Sequence, residues 1–151
     1  FTISRKQLNS EEIIKLTNLV EDHSVSELID NCLAQNTKKT FNILNENNFN
    51  NEDCILITRI FLNKSKKILR LAEEFQSNNN LELTISKAKP PIFWKDKDII
   101  KQQIFHWSPE NIRQLIYKLS DLELTIKKNL DNSVNLIIDF ILVQASSKTN
   151  N

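Results

Sequence analysis

The sequence predicts an all-α fold, a helical bundle of about six to seven helices, and three observations lead there. The 151 residues include no glycine and only three prolines, so βα turns, phosphate loops and tight hairpins lack the residue that usually takes positive φ. Apolar residues recur at three- and four-residue steps over most of the chain, the period of a helix with one buried face. Only Leu81-Glu82-Leu83-Thr84-Ile85 alternates like a strand. A lone strand would have no partner, so this run reads as a short helix. The chain is long enough to bury a sizeable core, and its many Asn residues are interrupted by regular apolar positions, unlike a prion-like tract.

The first helix signal is at Asn9, a capping residue followed by Glu12 and the stripe Ile13, Leu16, Leu19 and Val20. A second is Ser24-Val25-Ser26-Glu27, which reads as a capping box opening a helix with Val25, Leu28, Ile29, Cys32 and Leu33 on one face and a stop near Asn36. A short helix from about Thr37 to Asn47 carries Phe41, Ile43 and Leu44. The longest periodic stretch runs from Asn51 to about Gln76, with Ile57, Ile60, Phe61, Lys64, Ile68, Leu71 and Phe75 in step.

Ser77-Asn78-Asn79-Asn80 ends that helix, and Pro90-Pro91 forbids helix at Lys89 and Pro90, giving an extended link into Ile92-Phe93-Trp94. The rigid entry suggests that Phe93 and Trp94 anchor the link in the core. A helix from about Lys97 to His106 carries Ile99, Ile100, Ile104 and Phe105. Ser108-Pro109-Glu110 then supplies a cap, a first-turn proline and a first-turn acid for a helix reaching about Lys128. Its apolar face is Ile112, Leu115, Ile116, Leu119, Leu122 and Ile126, and a last helix from about Ser133 to Ala145 carries Val134, Ile137, Ile138, Ile141 and Leu142.

Charge is uneven along the chain: Phe1–Cys54 is acidic, Ile55–Phe105 holds ten Lys and Arg against five Asp and Glu, and the remainder is balanced. Any nucleic-acid contact is therefore expected in the middle. Lys64, Lys66, Lys67 and Arg70, with Lys87, Lys89, Lys95, Lys97 and Lys101 further on, form either a patch for phosphate or an acidic partner, or a solvated face. Trp94 and Trp107 are stacking platforms or packed corners.

Chemistry of other kinds finds little support. Catalysis needs converging acids, bases or nucleophiles, and His23 and His106 lie far apart with no HExxH or CxxC companion. His23, beside Glu21 and Asp22, reads as a solvated side chain in an acidic loop, and His106 as the end of a helix, where an imidazolium suits the dipole. Without a glycine there is no P-loop, and no cofactor is expected. Cys32 and Cys54 occupy apolar helical positions and read as buried reduced thiols, which fits a cytoplasmic protein. No apolar run reaches membrane-spanning length and no signal-peptide pattern opens the chain, so no membrane partner is expected. Opening on Phe1 points to a piece of a longer protein. Glu123 and Lys127 stand at i and i+4 in the favourable order.

Three runs carry a family resemblance: Pro90-Pro91-Ile92-Phe93-Trp94-Lys95-Asp96-Lys97-Asp98, then His106-Trp107-Ser108, then Leu122-Glu123-Leu124-Thr125-Ile126-Lys127. In order and spacing they resemble the C-terminal region of the bacterial DNA polymerase III delta subunit family. There an R-P-P-x-F-F/W-K-x-K-like segment leads through a short helix to a W-S-like cap, and the next helix ends in E-L-x-x-K. The resemblance covers about Ser24 to the end, and the stretch before it resembles the end of the family's helical lid, giving a boundary of 1–23 lid and 24–151 collar. Lys89 stands where arginine is common, and Asn129-Leu130-Asp131 lacks the glycine or aromatic often found there.

The resemblance implies a non-catalytic collar region of a clamp-loader delta subunit, within the assembly of a DNA-directed DNA polymerase. Its partners would be the gamma/tau motor subunits and the delta-prime subunit, in a circular pentamer that loads the sliding clamp onto primed DNA. Contact with the clamp itself belongs to an ATPase-like N-terminal domain that has no counterpart in these residues. Arg113 and Tyr117, off the apolar stripe of their helix, are an aromatic and guanidinium pair of the sort interfaces favour. With Glu123 and Lys127 they are the candidate subunit contacts; Lys64, Lys66, Lys67, Arg70, Lys95 and Lys97 are the candidate patch for DNA or an acidic partner. A stand-alone helical nucleic-acid-binding or protein-interaction domain is the alternative, and a small hydrolase lacks a convergent site.

Overall fold

A computed structural model describes residues 23–147. Residues 1–22, with the expected helix start at Asn9 and its apolar stripe, lie outside the described residues, as does all but His23 of the stretch read as the end of a lid. Within them the chain is all α: seven α-helices joined by short links, and no strand.

Helix α1 covers residues 23–33. His23 is already helical and exposed, and Ser24 lies inside the helix. Ser24 therefore does not cap this helix and His23 is helical, not part of a loop; Val25, the first apolar residue described, is buried, and Glu21 and Asp22 lie outside the described residues. The helix ends in a Schellman arrangement, with Gln35 left-handed at φ 57° and the amides of Gln35 and Asn36 donating to the carbonyls of Cys32 and Asn31.

Helix α2, Thr37–Glu46, buries Thr40 and Ile43 while Phe41 points to solvent. Helix α3, Asp53–Asn78, is the 26-residue spine of the bundle. Asn50 and Asp53 exchange side-chain and backbone hydrogen bonds at its start. It stops at Asn79, left-handed at φ 54°. Asparagine tolerates this region better than most residues, and so the turn is made without glycine.

Helix α4, Leu81–Ser86, confirms the helical reading of the alternating run; the Asn80 side chain accepts from the Leu83 amide, and Thr84 and Ile85 are buried. The Pro-Pro link then leads through a 3-10 turn at Trp94–Asp96 into α5, Lys97–His106. Helix α6, Pro109–Lys128, starts as read, with Ser108 accepting from the Asn111 amide and Pro109 in the first turn. A second 3-10 turn precedes α7, Ser133–Ser146.

Helices α3 and α6 form the main packed pair, with α4 and α5 also on α3, and α7 against α2, α3 and α6. Ile57, Phe61 and Ile68 of α3 meet the fully buried stripe Ile112, Leu115, Leu119 and Ile126 of α6 in one core. Ile116 and Leu122 are only partly buried.

One expectation fails. Phe93 and Trp94 are 57% and 69% exposed, their rings tilted together with centroids 6.0 Å apart. Ile92 takes the anchoring role instead and is buried. Extended backbone turns successive side chains to opposite sides, and Trp94 opens the 3-10 turn, so only one of the three can face inward. Trp107 is the packed tryptophan, its Nε1 donating to the Leu33 carbonyl at 2.7 Å.

Candidate functional site: a basic cleft and an exposed helix stripe

The central cations separate when the chain folds. Lys64, on the core side of α3, meets Asp30 of α1 at 2.7 Å with both side chains about three-quarters buried. It clamps two helices and leaves the candidate patch. Lys101 likewise pairs with Glu82 at 2.6 Å, tying α5 to α4, and that hydrogen bond holds its ammonium above the ordinary lysine range. Lys95 stands over the Trp94 ring, 5.5 Å from its centroid. Lys66 and Lys97 are exposed.

Lys67 and Arg70, the remaining members, point with Lys87 and Lys89 into one cleft of about 460 Å³. One side is α3; the other is the end of α4 and the start of the Pro-Pro link. Leu71, Ala88 and Pro90 supply apolar wall, and Glu74 is the one carboxylate in the lining. An Asn78 side-chain amide donates to Glu74 at 3.4 Å. None of the four cations forms an ion pair among the described residues.

The cleft exists because α4 folds back on α3. Asn79 reverses the chain, Asn80 caps α4, and the Thr84 hydroxyl lies within hydrogen-bond reach of the Asn78 side chain and the Asn80 carbonyl. Buried Ile85 anchors α4 in the core, two residues before Lys87 and four before Lys89. The sequence grouped these lysines by composition. It had no signal for which would converge, since that depends on the reversal at Asn79.

The candidate subunit contacts lie along α6. Tyr117 is 74% exposed and Leu124, one heptad on, is 58% exposed, so the face opposite the core carries large apolar groups without a partner among the described residues. Arg113 is not free on that face: it forms an ion pair with Glu73 of α3. Glu123 and Lys127 make the expected i, i+4 pair at 3.0 Å.

A broader depression of about 860 Å³ lies between α1 and α2, bordered by Glu27, Lys39, Asn42 and Glu46 among others. Its charges are mixed, and Lys39 pairs with Glu27 at 3.4 Å. Among the described residues, no group of three or more His, Cys, Asp or Glu side chains could hold a metal ion, and no helix is long and apolar enough to cross a membrane. Burial raises the pKa of both thiols, with the Cys32 Sγ donating to the Ile141 carbonyl at 3.4 Å. In comparisons with known proteins, no family model, curated protein or solved structure matches the chain.

Proposed function

We propose that this chain is the subunit-assembly collar of a bacterial clamp-loader delta subunit, cytoplasmic and non-catalytic in itself, supporting the loading of a sliding clamp onto primed DNA. The observation that carries the reading is the colinear run of three motifs from Pro90 to Lys127. Each motif corresponds to a joint or a surface of the bundle. The Pro-Pro link feeds α5, the Trp107-Ser108 pair closes a core corner and caps α6, and the Glu123–Lys127 pair lies on the last turns of α6. The all-helical architecture agrees with a collar, and the Tyr117–Leu124 stripe is a surface that a neighbouring collar would cover.

Size-exclusion chromatography with purified motor subunits and a delta-prime subunit tests the reading. Co-elution of the chain in a stoichiometric complex is the expected result; a chain that elutes alone under conditions where the other subunits assemble would overturn it. Replacing Tyr117 and Leu124 by alanine should weaken the complex tenfold or more while circular dichroism stays unchanged. A stand-alone nucleic-acid-binding domain is the second reading, favoured by the unpaired cations of the cleft. Oligonucleotide binding with no assembly would select it.

A further inference from the structure

We infer that the cleft between α3 and the α4–Pro-Pro segment binds the phosphates of a nucleic-acid strand through Lys67, Arg70, Lys87 and Lys89. The inference goes beyond the assembly reading and stands whether or not the chain is a collar.

Four cations face a shared volume against one carboxylate. Like charges facing one cleft repel, and among the described residues none of the four is held in an ion pair. Lys67 also borders a narrow gap with Asp30 and Asp96, but Asp30 is engaged by Lys64. An arrangement of this kind lowers its energy by binding an anion.

The shape selects a strand over a single small anion. The cations come from two walls, Lys67 and Arg70 on successive turns of α3 and Lys87 and Lys89 on the segment opposite, so they suit several phosphates in series. Lys66 extends the row along the exposed side of α3. Leu71, Ala88 and Pro90 between them offer apolar surface suited to sugar rings, and the Arg70 guanidinium is a fork for phosphate oxygens.

The hydrogen-bonding inventory disfavours an acidic peptide. Docking of an extended peptide by strand addition relies on main-chain donors and acceptors in the site, whereas acidic motifs are commonly read by clusters of arginines, and the cleft has a single arginine. Here the amides of Lys87 and Ala88 donate to Leu83 and Ile85 carbonyls, and the Thr84 hydroxyl is engaged with Asn78 and Asn80. The four cations, none of them in an ion pair among the described residues, are the groups that a phosphodiester backbone satisfies.

Fluorescence anisotropy of a labelled single-stranded oligonucleotide against the full chain, over a salt series, tests this. Each phosphate neutralised on a single strand contributes about −0.7 to the slope of log K against log salt. The variant Lys67→Gln/Arg70→Gln/Lys87→Gln/Lys89→Gln should flatten that slope by about 2 to 3 and lower affinity at least tenfold in low salt. Arg70, Lys87 and Lys89 are exposed and Lys67 is half-buried, and circular dichroism checks the fold. A charge-matched control, Lys38→Gln/Arg59→Gln/Lys118→Gln/Lys128→Gln, alters exposed cations elsewhere and should leave the slope within about 1 of the parent. Equal flattening by both variants, an unchanged slope in the cleft variant, or no binding by the parent protein at low salt overturns the inference. So does competition by poly-glutamate as effective, charge for charge, as that of the unlabelled strand, which would assign the cleft to an acidic protein segment.

Discussion

Trp94 and Trp107 each stand beside an apolar residue at an element boundary, and local sequence does not tell them apart. Their surroundings differ completely. Trp107 fills the corner between α5 and α6 and donates to Leu33, one of the last-turn carbonyls of α1 that has no partner within its own helix. Trp107→Ala removes a buried ring and that bond, and should cost about 3–5 kcal/mol, a fall in melting temperature on the order of 10 °C. Trp94→Ala should stay within about 0.5 kcal/mol of the parent. Paired thermal melts measure both, and a larger loss for Trp94 would contradict the exposure described. The positive-φ turns were equally hidden. A sequence without glycine excludes many turns, yet Gln35 and Asn79 make two left-handed ones, the first held by the helix-end hydrogen bonds around it and the second by a side chain suited to that region. Relief of the β-carbon clash should make Gln35→Gly about 1 kcal/mol more stable than Gln35→Ala in denaturant titrations.

The helices themselves were legible because their signals are local. Ser108-Pro109, the Ser77-Asn78-Asn79-Asn80 run, Pro90-Pro91 and the three- and four-residue apolar period put most boundaries within two residues of those found. The exception was Ser24, where a capping pattern lies inside a helix that already includes His23. The partner each helix face meets was not legible. Lys64 reaches back to Asp30 and Arg113 to Glu73, pairings that no spacing rule along a single helix supplies. The basic cleft has the same origin, since half its cations ride on α4 and the link beyond. Asn80→Ala should therefore have two effects. Loss of the cap should cost about 0.5–2 kcal/mol, mostly as fraying of α4 visible in amide exchange at Leu83 and Thr84. Oligonucleotide affinity should fall as well, although no charge is removed. A frayed α4 with unaltered affinity would show that Lys87 and Lys89 act independently of the fold-back.

The two cysteines link opposite ends of the described chain to one cooperative core. The Cys32 thiol bonds the Ile141 carbonyl of α7, and Cys54 at the start of α3 lies against Ser133 at the start of that helix. Both are fully buried, and desolvation favours the neutral thiol, so their pKa values lie above the ordinary one in the folded state. The unfolded chain would release these protons near pH 8.5. Above that pH it binds fewer protons than the folded chain, so stability must fall as pH rises; below about pH 7.5 both states keep their thiols protonated and the contribution is flat. Chemical denaturation between pH 7 and 9.5 should show the midpoint steady at first and declining above about pH 8.5. In a Cys32→Ala/Cys54→Ala variant, less stable at neutral pH because two buried groups are truncated, that decline should be largely lost. Alkylation provides the complementary reading, because a buried thiol reacts only when the bundle opens. At pH 8 both cysteines should modify slowly in the folded chain, and substitutions that loosen the core, Trp107→Ala among them, should accelerate both together. Rapid modification of one cysteine alone would mean that α1 with α7, or α3 with its Ser133 contact, opens as a separate unit.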